Sequence, residues 1–323
     1  MAQLQATVID GTLILGNTPD TSSAGNIWYD MDTNNIKYSY TGSAIGTWSN
    51  GGSLSVGRYS LAGAGTQNAG LAFGGLSPQS SCTEEYNGAS WATGGALITA
   101  RGSLGGVGTQ NAGLAFGGNG ASPAFSCTEE YDGSSWSAGG ALSVARYGLF
   151  GVGTQNEAVA FAGTCGFVAV TCTEEYNGSS WSTGGALSVS RNRLAGAGTQ
   201  NAGLAFGGQG VPFSVINSTE EYDGSSWSAG GSLISPKTGL GGIGVQNDAL
   251  SFAGYSPGLG ATATTEEYDG LSWSAGGSMN TGRNNVASAG TQSQGLAFGG
   301  RFSCTNTEEY NAPLTPPICI CTL

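Results

Sequence analysis

The sequence contains no histidine. This absence excludes a Ser-His-Asp triad, a cysteine nucleophile paired with histidine and a metal site with histidine ligands. Charged residues are also scarce, at 9% of 323 residues, whereas glycine occupies 59 positions. Such a composition leaves little material for amphipathic helices, and it therefore predicts an all-β protein.

Long apolar runs are absent as well, since no stretch approaches the ~18 residues of a membrane-spanning helix. The opening residues, Met-Ala-Gln-Leu-Gln, lack the basic and apolar regions of a secretory signal. We therefore expect no membrane insertion, and synthesis in the cytoplasm without Sec export. Nucleic acid is not an expected partner, because the net charge is −12 and phosphate binding needs a clustered basic surface.

What the sequence does contain is one segment of about 45 residues that recurs six times. A repeat of this period is one supersecondary unit copied to build an array or a ring. Tryptophans at intervals of 43, 45, 45, 46 and 46 residues mark the copies: Trp48, Trp91, Trp136, Trp181, Trp227 and Trp273.

A single copy predicts four short strands, which we call A to D. In the copy that begins at Arg101, Thr109-Gln110-Asn111 and Asp132-Gly133 are turn sequences between short strand-like segments. The unit is therefore a four-stranded antiparallel meander, and four strands per 45 residues predict a propeller blade. Other repeats of similar length fit this sequence less well. Tetratricopeptide and ankyrin units need helices, which Gly-Gly pairs disfavour, and the WD signature needs a Gly-His pair, which a sequence without histidine cannot provide.

The order of landmarks in each copy resembles the kelch repeat. The same order recurs from copy to copy over residues 47–310: arginine or lysine, an apolar strand, Gly-Gly or Ala-Gly, a variable loop, Glu-Glu-Tyr, a turn and tryptophan. This resemblance implies a six-bladed kelch-like β-propeller. It does not imply the copper site of kelch-containing galactose oxidases, because that site needs histidine ligands.

Counting strands predicts how the ring closes. Strands A, B and C each occur six times, but the last C strand, Glu308-Glu309-Tyr310, has no tryptophan after it. The missing D strand is the one at Trp48, so we predict closure by strand exchange between the chain ends. The predicted domains are residues 1–46, a propeller over 47–310 and an extended tail over 311–323.

Residues 1–46 are not a copy of the blade. Residues 26–30 and 36–40 predict a β-hairpin, preceded by strand-like segments at 6–9 and 12–15. The segment resembles the N-terminal modules of tailed-phage fibres and other virion proteins, and the Thr-Glu-Glu-Tyr-Asp-Gly-Ser-Ser-Trp arrays resemble those of phages of marine bacteria. The alternative is that Tyr38 and Tyr40 supply an extra strand to the sixth blade. The predicted attachment residues are Trp28, Tyr29, Tyr38 and Tyr40.

Each blade carries one cation ten residues after its tryptophan and one Glu-Glu pair. Because both faces of a blade pack on neighbours, a carboxylate there needs a cation, and we predict structural ion pairs. The alternative is a cationic ring, including Arg146 and Arg191, that binds acidic sugars. The six cations are Arg58, Arg101, Arg146, Arg191, Lys237 and Arg283.

The loops between strands B and C diverge among copies whose strands hardly change. We expect them on the same rim as the D to A loops, where variable loops on a rigid scaffold bind partners. The alternative is tolerated drift. The candidate binding residues in these loops are Phe125, Phe167, Val168, Phe213, Val215, Tyr255 and Phe302.

Catalysis, metals and cofactors are not expected. The paired carboxylates are identical in all copies, whereas a catalytic acid and base should occupy different environments. Cys82, Cys127 and Cys172 lie in successive blades roughly 10 Å apart, too far for a disulfide. Whether Cys165 and Cys172 pair across one loop is left open.

The resulting expectation is a non-enzymatic phage virion structural protein, on tail or capsid, that presents a propeller for host-surface recognition. Its expected partners are other virion proteins, bound through the N-terminal segment, a host surface glycan or protein, and further copies of itself. The alternative is a cellular kelch propeller that binds carbohydrate or protein.

Overall fold

The computed structural model describes residues 5–9, 12–16, 27–30, 35–38, 45–120, 124–302 and 305–313. Every regular element within these ranges is a β-strand, which confirms the predicted all-β class. The chain divides into two compact units, one formed by Thr47–Asn311 and the other by Met1–Gly46 with Ala312–Leu323.

The N-terminal unit contains two separate antiparallel pairs. Its strands are β1 (Gln5–Ile9), β2 (Thr12–Gly16), β3 (Ile27–Asp30) and β4 (Asn35–Tyr38). Strand β1 pairs with β2 and β3 with β4, so the predicted hairpin is confirmed. Strands β3 and β4 form a two-stranded sheet of their own. The alternative that these residues supply an extra strand to the sixth blade is therefore wrong for Tyr38, while Tyr40 lies outside the described residues.

The second unit consists of six four-stranded antiparallel sheets, which are the blades. Blade 6 takes its outermost strand from the start of this unit, β5 (Thr47–Asn50). Blade 1 contains β6 (Ala62–Thr66), β7 (Ala69–Phe73), β8 (Thr83–Tyr86) and β9 (Trp91–Thr93). Blade 2 contains β10 (Gly105–Thr109), β11 (Ala112–Phe116), β12 (Thr128–Tyr131) and β13 (Trp136–Gly139).

Blades 3 and 5 each carry a small extra hairpin in the B to C loop. Blade 3 contains β14 (Phe150–Gly153), β15 (Ala158–Phe161), the hairpin β16 (Thr164–Cys165) and β17 (Val168–Ala169), then β18 (Thr173–Tyr176) and β19 (Trp181–Thr183). Blade 4 contains β20 (Ala195–Thr199), β21 (Ala202–Phe206), β22 (Thr219–Tyr222) and β23 (Trp227–Gly230). Blade 5 contains β24 (Gly241–Val245), β25 (Asp248–Phe252), the hairpin β26 (Tyr255–Ser256) and β27 (Gly260–Ala261), then β28 (Thr265–Tyr268) and β29 (Trp273–Ala275). Blade 6 contains β30 (Ala287–Gly290), β31 (Gln294–Phe298) and β32 (Thr307–Asn311), followed in space by β5.

The ring closes as the strand count predicts. In blade 6, β5 pairs antiparallel with β32, and Trp48 lies opposite Tyr310. Strand A of each blade contacts strand A of the next, and β30 contacts β6. The six-bladed propeller with strand exchange is therefore confirmed.

The core lies between blades, where strand B is covered on both faces. In blade 2, Leu114, Ala115 and Phe116 are completely buried. Glycine in strand A lets the neighbouring blade approach closely: a Cβ added to Gly106 would stand 2.5 Å from Phe73 Cζ. Because carbon atoms pack at about 3.5–4.0 Å, a larger residue there would separate the two blades.

Three side chains of each blade bond to the preceding blade. The tryptophan indole N–H donates to a threonine hydroxyl, as from Trp136 to Thr83 at 3.0 Å. The glutamine of the A to B turn donates to two backbone carbonyls, as Gln110 does at Gly70 and Tyr86. Equivalent bonds occur in all six blades, so the repeated residues encode the interfaces between blades.

The third contact joins the tyrosine of strand C to the second glutamate of the preceding blade. Tyr131 Oη donates to Glu85 Oε1 at 2.5 Å, and Tyr86 closes the ring by donating to Glu309 at 2.6 Å. Burial, followed by the hydrogen bond to glutamate, raises the pKa of Tyr86 and Tyr131 to about 12. The same causes raise the pKa in the other four blades, at Tyr176, Tyr222, Tyr268 and Tyr310.

These tyrosines predict alkaline unfolding. An unfolded tyrosine titrates near pH ~10. Because the folded pKa is raised, the stability contributed by each tyrosine is complete below pH ~10 and is lost as pH rises through about 12. We expect a cooperative loss of circular dichroism in that window, together with a step in tyrosinate absorbance. Titration of all tyrosines near pH ~10 with the fold intact would contradict this prediction.

Candidate binding rim

Each D to A segment meets the following B to C loop at one end of the propeller, and we call this end the rim. Isolated backbone bridges join the two in every blade, as between Gly102 and Asn119 or between Asn192 and Gln209. The A to B and C to D turns lie at the other end, because the strands alternate in direction. The structure therefore brings the variable loops together on one rim.

Most of the candidate rim residues are exposed. Phe167, Phe213 and Phe302 have exposed fractions of 86%, 81% and 80%. Val168 and Tyr255 are also exposed, whereas Phe125 and Val215 are half-buried. Five of the seven predicted residues are thus open to a partner.

The backbone holds the three phenylalanines in an unusual conformation. The φ angles of Phe167, Phe213 and Phe302 are 75°, 78° and 74°, in the left-handed region that aromatic residues rarely adopt. Phe167 follows Gly166 at the tip of the hairpin formed by β16 and β17, and Phe213 N donates to the Gly210 carbonyl. Backbone strain of this kind is concentrated at functional sites.

Sequence reasoning missed two further exposed residues, Val211 and Leu259, at 62% and 75%. They extend the apolar surface over the B to C loops of four consecutive blades. We call this set the apolar arc: Phe167, Val168, Val211, Phe213, Leu259 and Phe302. In the sequence, the turn-forming residues beside them, Pro212 and Gly260, indicate that Val211 and Leu259 lie in turns, where side chains are exposed.

The repeated cations lie inside the blades. Arg101 Nη2 is 3.0 Å from Glu129 Oε1, and its Nη1 donates to the carbonyls of Gly117 and Cys127. The carboxylate also accepts the Ile98 N–H at 2.7 Å, so the ion pair fixes the D to A segment to strand C. A pair of this kind occurs in every blade, which confirms the predicted structural role.

The alternative of a ligand-binding ring is wrong for Arg146 and Arg191. Both side chains are completely buried, and they pair with Glu174 and Glu220. Burial lowers the pKa of both guanidinium groups, and the partner glutamates oppose that shift. A ligand at the rim cannot reach cations enclosed in this way.

The attachment hypothesis falls outside the described residues. The side chains of Trp28, Tyr29 and Tyr38 are not described, nor is any part of Tyr40. The same holds for the tail beyond residue 313. Their proposed role in attachment therefore stays a prediction.

The remaining chemistry of the described residues is limited. Cys82, Cys127, Cys165 and Cys172 are free thiols. Within the described ranges, no group of three or more Cys, Asp or Glu is arranged to hold a metal ion. No helix in this part of the chain is long and apolar enough to cross a membrane.

Comparison with known proteins adds no family. No model of a known protein family matches the chain, and no curated protein matches it. The propeller and its rim are therefore the features from which a function can be assigned.

Proposed function

We propose that this protein is a non-enzymatic binding propeller whose rim recognises a surface, and that it does so as a structural component of a phage particle. One observation carries the binding role: three phenylalanines are 80% to 86% exposed and are held in a strained backbone conformation on an otherwise tightly closed scaffold. Exposed aromatic side chains of this kind contribute little to the fold, and they are the typical anchors of binding surfaces.

The distribution of sequence variation supports the same role. The strands and their contacts between blades are repeated, while the B to C loops differ in length and composition. A scaffold with fixed strands positions variable loops without a conformational cost on binding. The residues of the apolar arc lie in the B to C loops of blades 3 to 6, so the exposed apolar side chains are concentrated on one part of the rim.

We further propose that the propeller is carried on a virion. This placement rests on the resemblance of the repeats and of the N-terminal segment to phage fibre and decoration proteins. Its partners would be other virion proteins at the N-terminal segment and a host glycan or protein at the rim. Immunogold electron microscopy of phage particles should place this chain on the tail or capsid; its recovery only with cell components would favour the cellular kelch propeller instead.

If the rim binds a surface, removing the aromatic side chains of the apolar arc should weaken that binding. In the variant Phe167→Ser/Phe213→Ser/Phe302→Ser, we expect affinity for bacterial cells or arrayed glycans to fall about tenfold or more, because anchors of this type dominate interfaces. The melting temperature should not fall, since the three rings are exposed. Fluorescently labelled protein on a panel of marine bacteria and on a glycan array provides the measurement.

The opposite end of the propeller supplies a matched control. Leu271 lies in the C to D turn of blade 5 and Val245 at the end of its strand A, and they are exposed at 82% and 51%. The variant Leu271→Ser/Val245→Ser removes apolar surface without touching the rim, and its binding should equal that of the parent. Equal losses in both variants would show that binding is non-specific and would argue against the rim.

A further inference from the structure

A closed ring of backbone hydrogen bonds surrounds the central channel at the rim end. It is formed by the residue two positions after each repeated cation, and we call these six residues the mouth ring. Each N–H donates to the carbonyl of the ring residue in the preceding blade, at 2.6 to 2.9 Å. All six have φ angles between 51° and 63°. The residues are Ser60, Ser103, Gly148, Arg193, Gly239 and Asn285.

The mouth ring lines a cavity in the channel. Its volume is about 90 Å³, whereas a single water needs roughly 10–15 Å³. Leucines and Phe150 form part of the wall, and the ring residues supply its polar groups. Neither Asp nor Glu lines this cavity. The channel mouth therefore has room for a small polar group and no charge that would repel an anion.

The ring residues break the symmetry of the repeat. The backbone requires only a left-handed conformation, which glycine adopts freely at Gly148 and Gly239. Blade 4 instead places Arg193 there, at a φ of 51°. At Gly239, glycine leaves room for the side chain of the next blade, because a Cβ there would lie 2.5 Å from Asn285 Oδ1. A Cβ on Gly148 would lie in ordinary contact with Arg193 Cγ, at 3.7 Å.

Arg193 is also electrostatically distinct. The six repeated cations are neutralised by buried glutamates. Arg193 is exposed, and none of the ion pairs among the described residues involves its guanidinium. The other exposed cation of the propeller, Arg301, instead lies 5.1 Å above the Tyr59 ring.

The exposed acids of the propeller lie at the far end from the mouth ring. They lie in the A to B and C to D turns or at the strand end beside such a turn, whereas the described rim residues include no exposed Asp or Glu. The mouth of the channel is therefore the place on the propeller where an anion meets an unpaired cation with the least opposing charge. The exposed acids are Asp132, Glu157, Asp223, Asp248 and Asp269.

We propose that the mouth ring binds an oxyanion group, such as a carboxylate, sulfate or phosphate, at the channel mouth. The Arg193 guanidinium is the charged donor, since its planar fork of N–H groups fits two oxygens of such an anion. The Asn285 amide and the hydroxyl groups of Ser60 and Ser103 surround the same opening and can donate further hydrogen bonds. This site is separate from the apolar arc, and it does not depend on the function proposed for the rim.

The test is titration of the full chain with four probes at constant ionic strength: inorganic sulfate, inorganic phosphate, acetate and galacturonate. Isothermal calorimetry and chemical shifts should show saturable binding of at least one probe in the millimolar range or below. Preference for sulfate or phosphate would indicate a tetrahedral anion, and preference for galacturonate would indicate a sugar acid. No saturable binding of any probe up to tens of millimolar would overturn the proposal.

Two variants distinguish a specific anion-binding site from general electrostatic attraction to the rim. In Arg193→Gly we expect affinity about ten- to a hundredfold weaker, because a charge-assisted hydrogen bond is lost. This variant should fold, since blades 3 and 5 already have glycine at the equivalent position. In Arg301→Gln, which removes the other exposed rim cation, affinity should stay within about twofold. An equal loss in both variants would show that the anion is held only by the overall charge of the rim and would refute the site.

Discussion

Removing residues 1–55 should abolish folding of the propeller, whereas removing residues 1–46 should leave it folded. The two truncations differ by the strand that completes blade 6 and by the segment that leads into blade 1. Trp48 is 7% exposed, and its indole N–H donates to Thr265 in blade 5 at 2.9 Å. Ser55 donates to Glu84 in blade 1 through both its N–H and its hydroxyl.

The expected effect is large because several contacts are lost together. Loss of a buried tryptophan alone costs about 3–5 kcal/mol, and the exposed edge of β32 adds unpaired backbone groups. The total approaches the 5–15 kcal/mol that stabilises a typical native protein. Circular dichroism on heating should show a cooperative transition for the shorter truncation and none for the longer one. A synthetic peptide of residues 47–55 added to the longer truncation should restore part of the transition.

Overlapping melts for the two truncations would contradict closure by strand exchange as the source of cooperativity. Loss of the transition in both would show instead that residues 1–46 are needed for the propeller to fold. The peptide experiment separates a missing strand from general aggregation, because only a missing strand is replaced in trans.

The fold could be predicted because the copies can be compared with one another. Trp48 stands before the first complete copy and no tryptophan follows Tyr310, so the strand count alone required the exchange between β5 and β32. The ion pairs followed from a similar argument, since a glutamate repeated in every blade must meet a cation when both faces of the blade are packed.

The site could be predicted only in part. Phe167, Phe213 and Phe302 were found because they lie in loops that diverge, but their left-handed conformation has no signal in the residue type. Arg193 was missed because it lies outside the repeated pattern, two residues after Arg191. Whether an arginine faces solvent or the interior depends on the direction of its side chain, which the spacing of the repeat does not encode.

The second large effect should follow from Arg101→Met. This change leaves Glu129, which is 2% exposed, without its cation. Breaking a buried ion pair by removing one partner costs about 3–5 kcal/mol, because the remaining charge cannot be hydrated. The free energy of unfolding, measured with urea at neutral pH, should fall by that amount. Arg301→Met is the exposed control, and it should change the stability by less than about 1 kcal/mol.

Two further variants test whether the unpaired charge is the cause. Arg101→Lys should cost far less than Arg101→Met, since blade 5 uses Lys237 at the equivalent position, 2.8 Å from Glu266. Adding Glu129→Gln to Arg101→Met should recover part of the loss, because a neutral amide still accepts the Ile98 N–H. If the double variant is as unstable as the sum of the two single variants, the cost comes from packing rather than from charge.

The repeat offers an internal check on the magnitude. Arg146 occupies the same position in blade 3 and pairs with Glu174, so Arg146→Met should lower the free energy of unfolding by a similar amount. We expect the closed ring to unfold as one cooperative unit, and each single variant should then shift the whole transition rather than create a second one. A separate early transition in either variant would mean that blades unfold individually. In that case the strand contributed by residues 47–50 would stabilise only blade 6 and its neighbours.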